Sequence, residues 1–259
     1  MKDTRLVTAS EAGELGIACD DRVRATCEFC GKELEAQGFL DGERIFWIGH
    51  IECDCPEKQA HDQRERERAK CIQQMELERK IISSGVGKRY ARAEVRLQAS
   101  SRYLETFEGS GGRGLFITGP VGSGKTYAAS ALARAFITAG YRSVFTTSLR
   151  MLDEIRASYE RQREGGISRY ARCDVLFIDD IGKENANAWA LTTLFQVVND
   201  RYDSMLPTIY TSQYSLDSLT ARMARNGERE SAEAIVSRIA QTSEVLHLAN
   251  RDRRREADS

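Results

Sequence analysis

Two short stretches carry residue types that can do chemistry on a polyphosphate. The first, GPVGSGKT, runs from Gly119 to Thr126 and satisfies G-x-x-x-x-G-K-[ST] between an apolar run, LFIT, and a helical stretch, YAASALARAFITAG. Glycines in such a loop let backbone N–H groups curl around phosphate oxygens, and the start of the following helix adds favourable partial charge. The expected nucleotide-binding residues are therefore Gly119, Pro120, Val121, Gly122, Ser123, Gly124, Lys125, Thr126 and Tyr127. Lys125 supplies a mobile cation for the β- and γ-phosphates of ATP, and Thr126 offers its hydroxyl to Mg2+. The second stretch, DVLFIDDIGKE, runs a buried apolar segment straight into paired carboxylates, Asp179 and Asp180. Asp179, at the strand's end, is expected to hold the metal's water shell, and Asp180 to orient or deprotonate an attacking water. A second reading, in which one of the acids caps the next helix, stays open.

A loop and an acidic strand end can meet only if a scaffold brings them to one edge. From Ser84 onward, short β-rich runs alternate with helical patterns: LFIT (115–118), SVFTT (143–147), VLFID (175–179), TIYTS (208–212) and EVLHL (244–248). The clearest helix between them carries Leu191, Leu194, Phe195, Val198 and Tyr202 at spacings of three and four. Five strands interleaved with helices predict an α/β fold with a parallel sheet covered on both faces.

Ahead of this core lie two close cysteine pairs, CEFC (27–30) and CDC (53–55), separated by 22 residues. The intervening sequence contains an Asp41-Gly42 pair between apolar runs, the signal of a tight hairpin. A hairpin can return the chain so that Cys27, Cys30, Cys53 and Cys55 surround one tetrahedral zinc ion, and four sulfur ligands make such a site structural. Because CDC is shorter than C-x-x-C, His50 or His61 in place of one thiolate remains an alternative. Cys19, Cys71 and Cys173 have no such partners and read as small hydrophobes. Residues 56–80, PEKQAHDQRERERAKCIQQMELERK, are dense in both signs of charge and free of glycine. They read as a helix, either linking two modules or lying on the surface of the larger one.

The bulk numbers set outer bounds. A chain of 259 residues, 41% hydrophobic and 30% charged, has the composition of a globular protein of one or two domains. A formal net charge of -1 gives no global case for nucleic acid, so any such contact needs a local basic patch. IRASYERQREGGISRYAR interleaves Arg156, Arg161, Arg163, Arg169 and Arg172 with Tyr159 and Tyr170, which suits either a single-strand groove or a solvated helix face. The terminal RDRRRE is a basic tail or a contact element. No apolar run approaches the roughly 18 residues of a membrane span, and MKDTRLVTAS lacks a signal-peptide core, so a cytoplasmic protein is expected.

Taken together, GPVGSGKT, FIDDIGKE, LPTIYTSQYSLDSL and AIVSRI resemble the AAA+ helicase loaders of the DnaC/DnaI type and the related IstB transposition ATPases, over about Ser84 to Arg254. The resemblance implies a P-loop ATPase core with a five-stranded parallel sheet, lacking the helical lid of most AAA+ proteins; only 11 residues follow Leu248. It implies an oligomer with ATP at the subunit interface. Arg238 of the SRI triplet would be the finger reaching a neighbour's ATP, an intrasubunit salt bridge being the other reading. Gln213 would sense the γ-phosphate where the family usually has asparagine, completing a catalytic set with Lys125 and Asp180. Val86 and Tyr90 would lie near the adenine or simply pack. DnaI-type loaders also carry an N-terminal zinc module that grips the replicative helicase. The implied organisation is a helicase-binding zinc module at 1–55, a charged helical linker at 56–84 and an AAA+ domain at 85–259. The implied partners are a DnaB-type helicase hexamer and single-stranded DNA, in the initiation of DNA replication. The alternative is an IstB-like partner of a transposase.

Overall fold

The computed structural model describes residues 5–17, 25–42, 44–161, 165–184, 186–226 and 229–249. Cys19, Arg163 and the RDRRRE run lie outside them. The chain divides into two compact units, 1–74 and 75–259.

In the first unit β1 (Arg5–Thr8) leads into α1 (Ala9–Glu14). Thr8 and Glu11 cap the helix reciprocally: the Glu11 N–H donates to Thr8 Oγ1 at 3.3 Å and the Thr8 N–H to the Glu11 carboxylate at 2.9 Å. β2 (Ala25–Thr26) and β3 (Glu33–Leu34) make a short antiparallel ribbon around the first cysteine pair. β4 (Ala36–Asp41) and β5 (Arg44–His50) form the expected hairpin, with Gly42 at φ 65° in its turn. The unforeseen element is β1, which pairs antiparallel with β4 to complete the order β1-β4-β5. Among the described residues of this unit the buried apolar side chains are Val7, Ala12, Cys27 and Ala36. Leu6, Phe39 and Phe46, in register across the three strands, remain exposed. Four small or medium side chains are a thin core for a module of this size.

The charged run is one continuous helix, α2 (Pro56–Ser83), with proline at its first position, where no N–H is needed.

The second unit contains α3 (Gln98–Thr106), β6 (Gly114–Thr118), α4 (Lys125–Thr138), β7 (Ser143–Thr147), α5 (Ser148–Glu160) and α6 (Ser168–Ala171). It continues through β8 (Val175–Asp179), α7 (Ala188–Asp203), β9 (Thr208–Ser212), α8 (Leu216–Met223), α9 (Arg229–Thr242) and β10 (Ser243–His247). The five strands are parallel in the order β10-β6-β9-β8-β7, each within a residue of its sequence-based bounds. Every residue of β6, β8 and β9 is buried, the reason these strands carry no charged side chain before the terminal Asp179 of β8. Alternate side chains serve opposite faces. Phe116, Leu176, Ile178 and Tyr210 pack with α5, α7 and α9, while Ile117, Phe177 and Ile209 pack with Leu132 and Phe136 of α4. Among the described residues no helix follows β10, and none is long and apolar enough to cross a membrane.

The outer edge of β7 is covered by the residues that follow α2. The Phe145 N–H donates to Ser84 O at 2.7 Å, and Gly85, at φ 108°, lies so close that a Cβ would fall 1.8 Å from Phe145 O.

Arg201 of α7 is only 1% exposed, and among the described residues its guanidinium makes no ion pair. Its nitrogens donate instead to Thr208 Oγ1 and to the carbonyls of Tyr170, Ala171, Cys173 and Pro207, tying three segments together. Replacing it with methionine fills the space and strands those acceptors. Arg201→Met is expected to cost about 3–5 kcal/mol, and a thermal melt within a few degrees of the parent would contradict that.

Candidate nucleotide and metal sites

The loop between β6 and α4 has the backbone a phosphate cradle needs. Gly122 and Gly124 adopt φ 85° and 92°, and a Cβ on Gly119 would lie 2.5 Å from Leu248 O. Gly124 is the N-cap of α4 and offers no side-chain acceptor, so the helix's first N–H groups keep their donors for an anion. Ser123 Oγ, in the same loop, is buried and has no hydrogen-bond partner among the described residues. Lys125 Nζ turns back over the loop and donates to Gly119 O and Pro120 O at 2.8 Å each. An orphaned hydroxyl, uncapped N–H groups and an ammonium converge here, and they fit a polyphosphate.

The acidic strand end lies against this loop. The Thr126 hydroxyl donates to both oxygens of Asp179, at 3.2 and 3.1 Å, so hard oxygen donors suited to Mg2+ meet at the first turn of α4. Burial pushes the Asp179 carboxyl above the usual carboxylate range, and hydrogen bonds from Thr211 and Thr126 pull it back toward the ionised form. Asp180 leaves the strand at φ 59°, a conformation uncommon for non-glycine residues, and its Oδ2 accepts from Lys183 Nζ at 2.7 Å.

Two supports of this pair were not picked out by motif or spacing. Thr211 of β9 touches both acids, donating to Asp179 Oδ1 at 2.5 Å and accepting from the Asp180 N–H at 2.9 Å. Glu184, 1% exposed, accepts from the Gly182 N–H at 2.9 Å and from Ser148 Oγ at 2.6 Å, fixing the Gly-Lys-Glu turn against the start of α5. The contacts from Thr211 to Asp179 and from Ser148 to Glu184 cross more than thirty residues of chain, which spacing cannot reveal.

The remaining expected residues fall in different settings. Gln213 follows the last residue of β9 and is half-buried. Arg238 lies on α9 and is engaged within its own subunit: Nε donates to Asn199 Oδ1 at 2.8 Å, and the guanidinium sits 4.6 Å over Phe195 and 5.6 Å over Tyr202. Tyr127 accepts from the Glu94 N–H at 3.2 Å and meets Tyr90 edge to face. Val86 is buried in the core with Ile81 and Leu115.

The arginine-rich segment divides. Tyr170 is buried, its hydroxyl bonded to Glu154, so it offers no face for stacking, and Arg156 lies 4.4 Å over Trp189. Tyr159 is exposed. Arg150 and Arg169 both pair with Glu154, and with Lys88 they line a cavity of about 260 Å3 against Phe145 and Thr146 of β7.

In the first unit the four cysteines meet. Cys27 and Cys30 flank the turn between β2 and β3, closed by Gly31 at φ 72°, whose N–H donates to Cys27 O, and by the Cys27 N–H donating to Lys32 O. Cys53 and Cys55 lie just ahead of α2. All four sulfurs fall within 4.8 Å of one another, with Cys27–Cys55 at 3.9 Å and Cys30–Cys53 at 3.6 Å. Tetrahedral zinc with bonds of about 2.3 Å needs sulfurs about 3.8 Å apart, so the donor set fits. Backbone N–H groups of Cys30 and Phe29 bring the Cys27 thiol down to about 7. At Cys55 the Lys58 N–H acts in the same direction but is outweighed by burial and the neighbouring thiols, which push it up to about 12. Crowded thiols of this kind ionise together only beside a cation. Among the described residues no histidine joins the four-sulfur group, and His61 instead packs 4.9 Å from the Phe29 ring.

Comparison with known proteins agrees with this architecture. The replicative helicase loader DnaI of Bacillus subtilis (strain 168) is 24% identical over 246 residues, covering 88% of this chain and 78% of that protein. An insertion sequence IS1162 putative ATP-binding protein of Pseudomonas fluorescens is 34% identical over 108 residues, 41% of this chain and less than half (46%) of that protein. The crystal structure of the DnaC helicase loader superimposes with a TM-score of 0.55 at 23% identity, covering 63% of this chain and 100% of that one, which establishes the shared AAA+ fold. Residues 57–259 match the IstB-like ATP binding protein family, and the chain belongs to that family.

Proposed function

We propose that the protein is an ATP-dependent loader of a DnaB-type replicative helicase hexamer, acting as an oligomer in the cytoplasm at the initiation of DNA replication. The observation that carries this reading is the extent of the likeness to DnaI. At 88% of 259 residues it exceeds the 203 residues between 57 and 259, so it reaches into the cysteine module as well as the ATPase core. A module whose metal site is closed has no reaction to offer, and a rigid docking surface is the use left to it.

In this reading the loop from Gly119 to Tyr127 holds ATP, Lys125 reaches its outer phosphates, and Thr126 and Asp179 hold Mg2+. The metal, when bound, neutralises charge on the transferring phosphoryl group. Asp180 orients the attacking water and takes its proton, which requires its carboxylate to turn from Lys183. Gln213 donates its amide to the γ-phosphate, and Arg238 serves the ATP of a neighbouring subunit. The Lys88, Arg150 and Arg169 cavity sets three cations against one carboxylate and supports a contact with single-stranded DNA. Cys27, Cys30, Cys53 and Cys55 hold structural zinc.

Removing one transition-state donor costs about 10²–10³ in rate. Arg238 must first leave Asn199 and Phe195, contacts worth about 1–2 kcal/mol, which takes back roughly a factor of ten. Arg238→Ala is therefore expected to bind ATP normally and hydrolyse it about 10- to 100-fold more slowly, with activity recovered on mixing with Lys125→Ala subunits that donate their own arginine. No recovery in mixed assemblies would exclude a finger acting between subunits.

A second reading, the ATPase partner of a transposase, is favoured by the 34% identity to the IS1162 protein. Co-purification of the full chain with a replicative helicase and, separately, with a transposase distinguishes the two. Stable capture of the helicase is expected, and capture of the transposase alone would overturn the loader assignment.

A further inference from the structure

We infer that Thr211 is a positioning residue for both acids of the nucleotide site, an inference that rests on the ATPase reading above. The ladder between β8 and β9 ends at the Ile178–Tyr210 pair. One residue further on, where Asp179 and Thr211 come level, a side chain takes over from the backbone. Thr211 is 1% exposed, and its hydroxyl has two partners. The Asp180 N–H is only a donor, so Thr211 Oγ1 accepts from it at 2.9 Å. The hydroxyl proton is thereby committed to Asp179 Oδ1, at 2.5 Å.

That single group sets two things. It fixes the rotation of the Asp179 carboxylate about its Cα–Cβ and Cβ–Cγ bonds, since Oδ1 is held by Thr211 while Thr126 approaches both oxygens. It also anchors the backbone of Asp180, whose φ of 59° persists only if its surroundings over-determine it. The next residues reinforce the seam: the Ile181 N–H donates to Thr211 O at 2.9 Å, and Ser212 Oγ donates to Ile181 O at 2.8 Å. Of these groups along the seam from β9, it is the Thr211 hydroxyl that reaches the carboxylate that would carry the metal. Packing alone would be served as well by valine, which has the same branched shape.

The test compares Thr211→Val, Thr211→Ala and Thr211→Ser in the full chain, reading binding of a fluorescent ATP analogue with Mg2+ and with EDTA, alongside ATP turnover. Hydrogen-bonding partners of metal-binding residues typically contribute 10- to 100-fold, so Thr211→Val and Thr211→Ala should lose most of the Mg2+-dependent gain in affinity and about 10- to 100-fold in kcat. Affinity in EDTA should stay within about twofold, and Thr211→Ser should keep both properties within about threefold, because it retains the hydroxyl. A Thr211→Val or Thr211→Ala protein with the parent's Mg2+ response overturns the inference, and so does a Thr211→Ser protein as impaired as Thr211→Ala. If the valine variant does not fold, the serine and alanine pair still decides. A parent chain that binds nucleotide but does not turn it over speaks against the ATPase reading alone, since the Mg2+ response of binding remains measurable.

Discussion

Asp180→Asn is expected to bind ATP as tightly as the parent chain and to turn it over about 10²–10⁴-fold more slowly, the range lost with a general base. Lys125→Ala is expected to fail one step earlier. Its ammonium lies over the Gly119 and Pro120 carbonyls, inside the loop that leads into the uncapped start of α4. Truncating one partner of such a charge pair costs about 2–5 kcal/mol, or roughly 30- to several-thousand-fold in affinity. Asparagine at 180 retains the shape of the side chain but has no basic oxygen for the water's proton. The two substitutions therefore separate in one pair of measurements, equilibrium nucleotide binding and single-turnover hydrolysis. Equal affinity in the parent and Lys125→Ala would sink the phosphate assignment, and an Asp180→Asn protein of parental rate would remove the base.

Cys27→Ser combined with Cys30→Ser is expected to empty the first unit of zinc and unfold it. The apolar side chains buried among its described residues, Val7, Ala12, Cys27 and Ala36, are too small a core to hold a three-stranded sheet against chain entropy. Structural zinc supplies about 10–16 kcal/mol of apparent binding free energy in comparable small modules. Metal analysis should show loss of the ion, and limited proteolysis should cut within residues 5–50. Helicase capture should vanish while ATP affinity stays within about twofold, because the phosphate loop and its acids belong to a separate compact unit, 75–259, with its own core. A double mutant that keeps its zinc and resists protease would mean that the four sulfurs are not the ligands.

The sheet was readable because its strands are short runs rich in apolar, β-branched or aromatic residues between helical patterns, and because burial keeps β6, β8 and β9 free of charge until the terminal Asp179. The phosphate loop and acidic pair were readable for the opposite reason: their chemistry fixes residue types at short spacing. What escaped shares one property, that its partners are distant in sequence. RLVT at 5–8 is too short and too exposed to announce a strand, and it becomes one only by pairing with β4. Tyr170 looked like a stacking residue among arginines until Glu154, sixteen positions earlier, claimed its hydroxyl. Arg201 gave no signal at all, since most of its partners are backbone carbonyls, which every residue has. Thr211 had a weak one: a hydroxyl at the end of a fully buried strand needs a partner, and the neighbouring strand ends in acids.

The cover over β7 has a consequence for the chain before and after folding. A bare parallel edge strand is a template on which any passing extended segment can add itself, and long-lived rows of unpaired N–H and C=O groups seed aggregation. Here the position beside Phe145 is already taken by Ser84, and the fit over Gly85 leaves no room for even one methyl group. A side chain at position 85 would lift the cover and reopen the edge. Its first symptom would be insoluble protein on heating or overexpression, with the phosphate loop and both acids chemically unaltered.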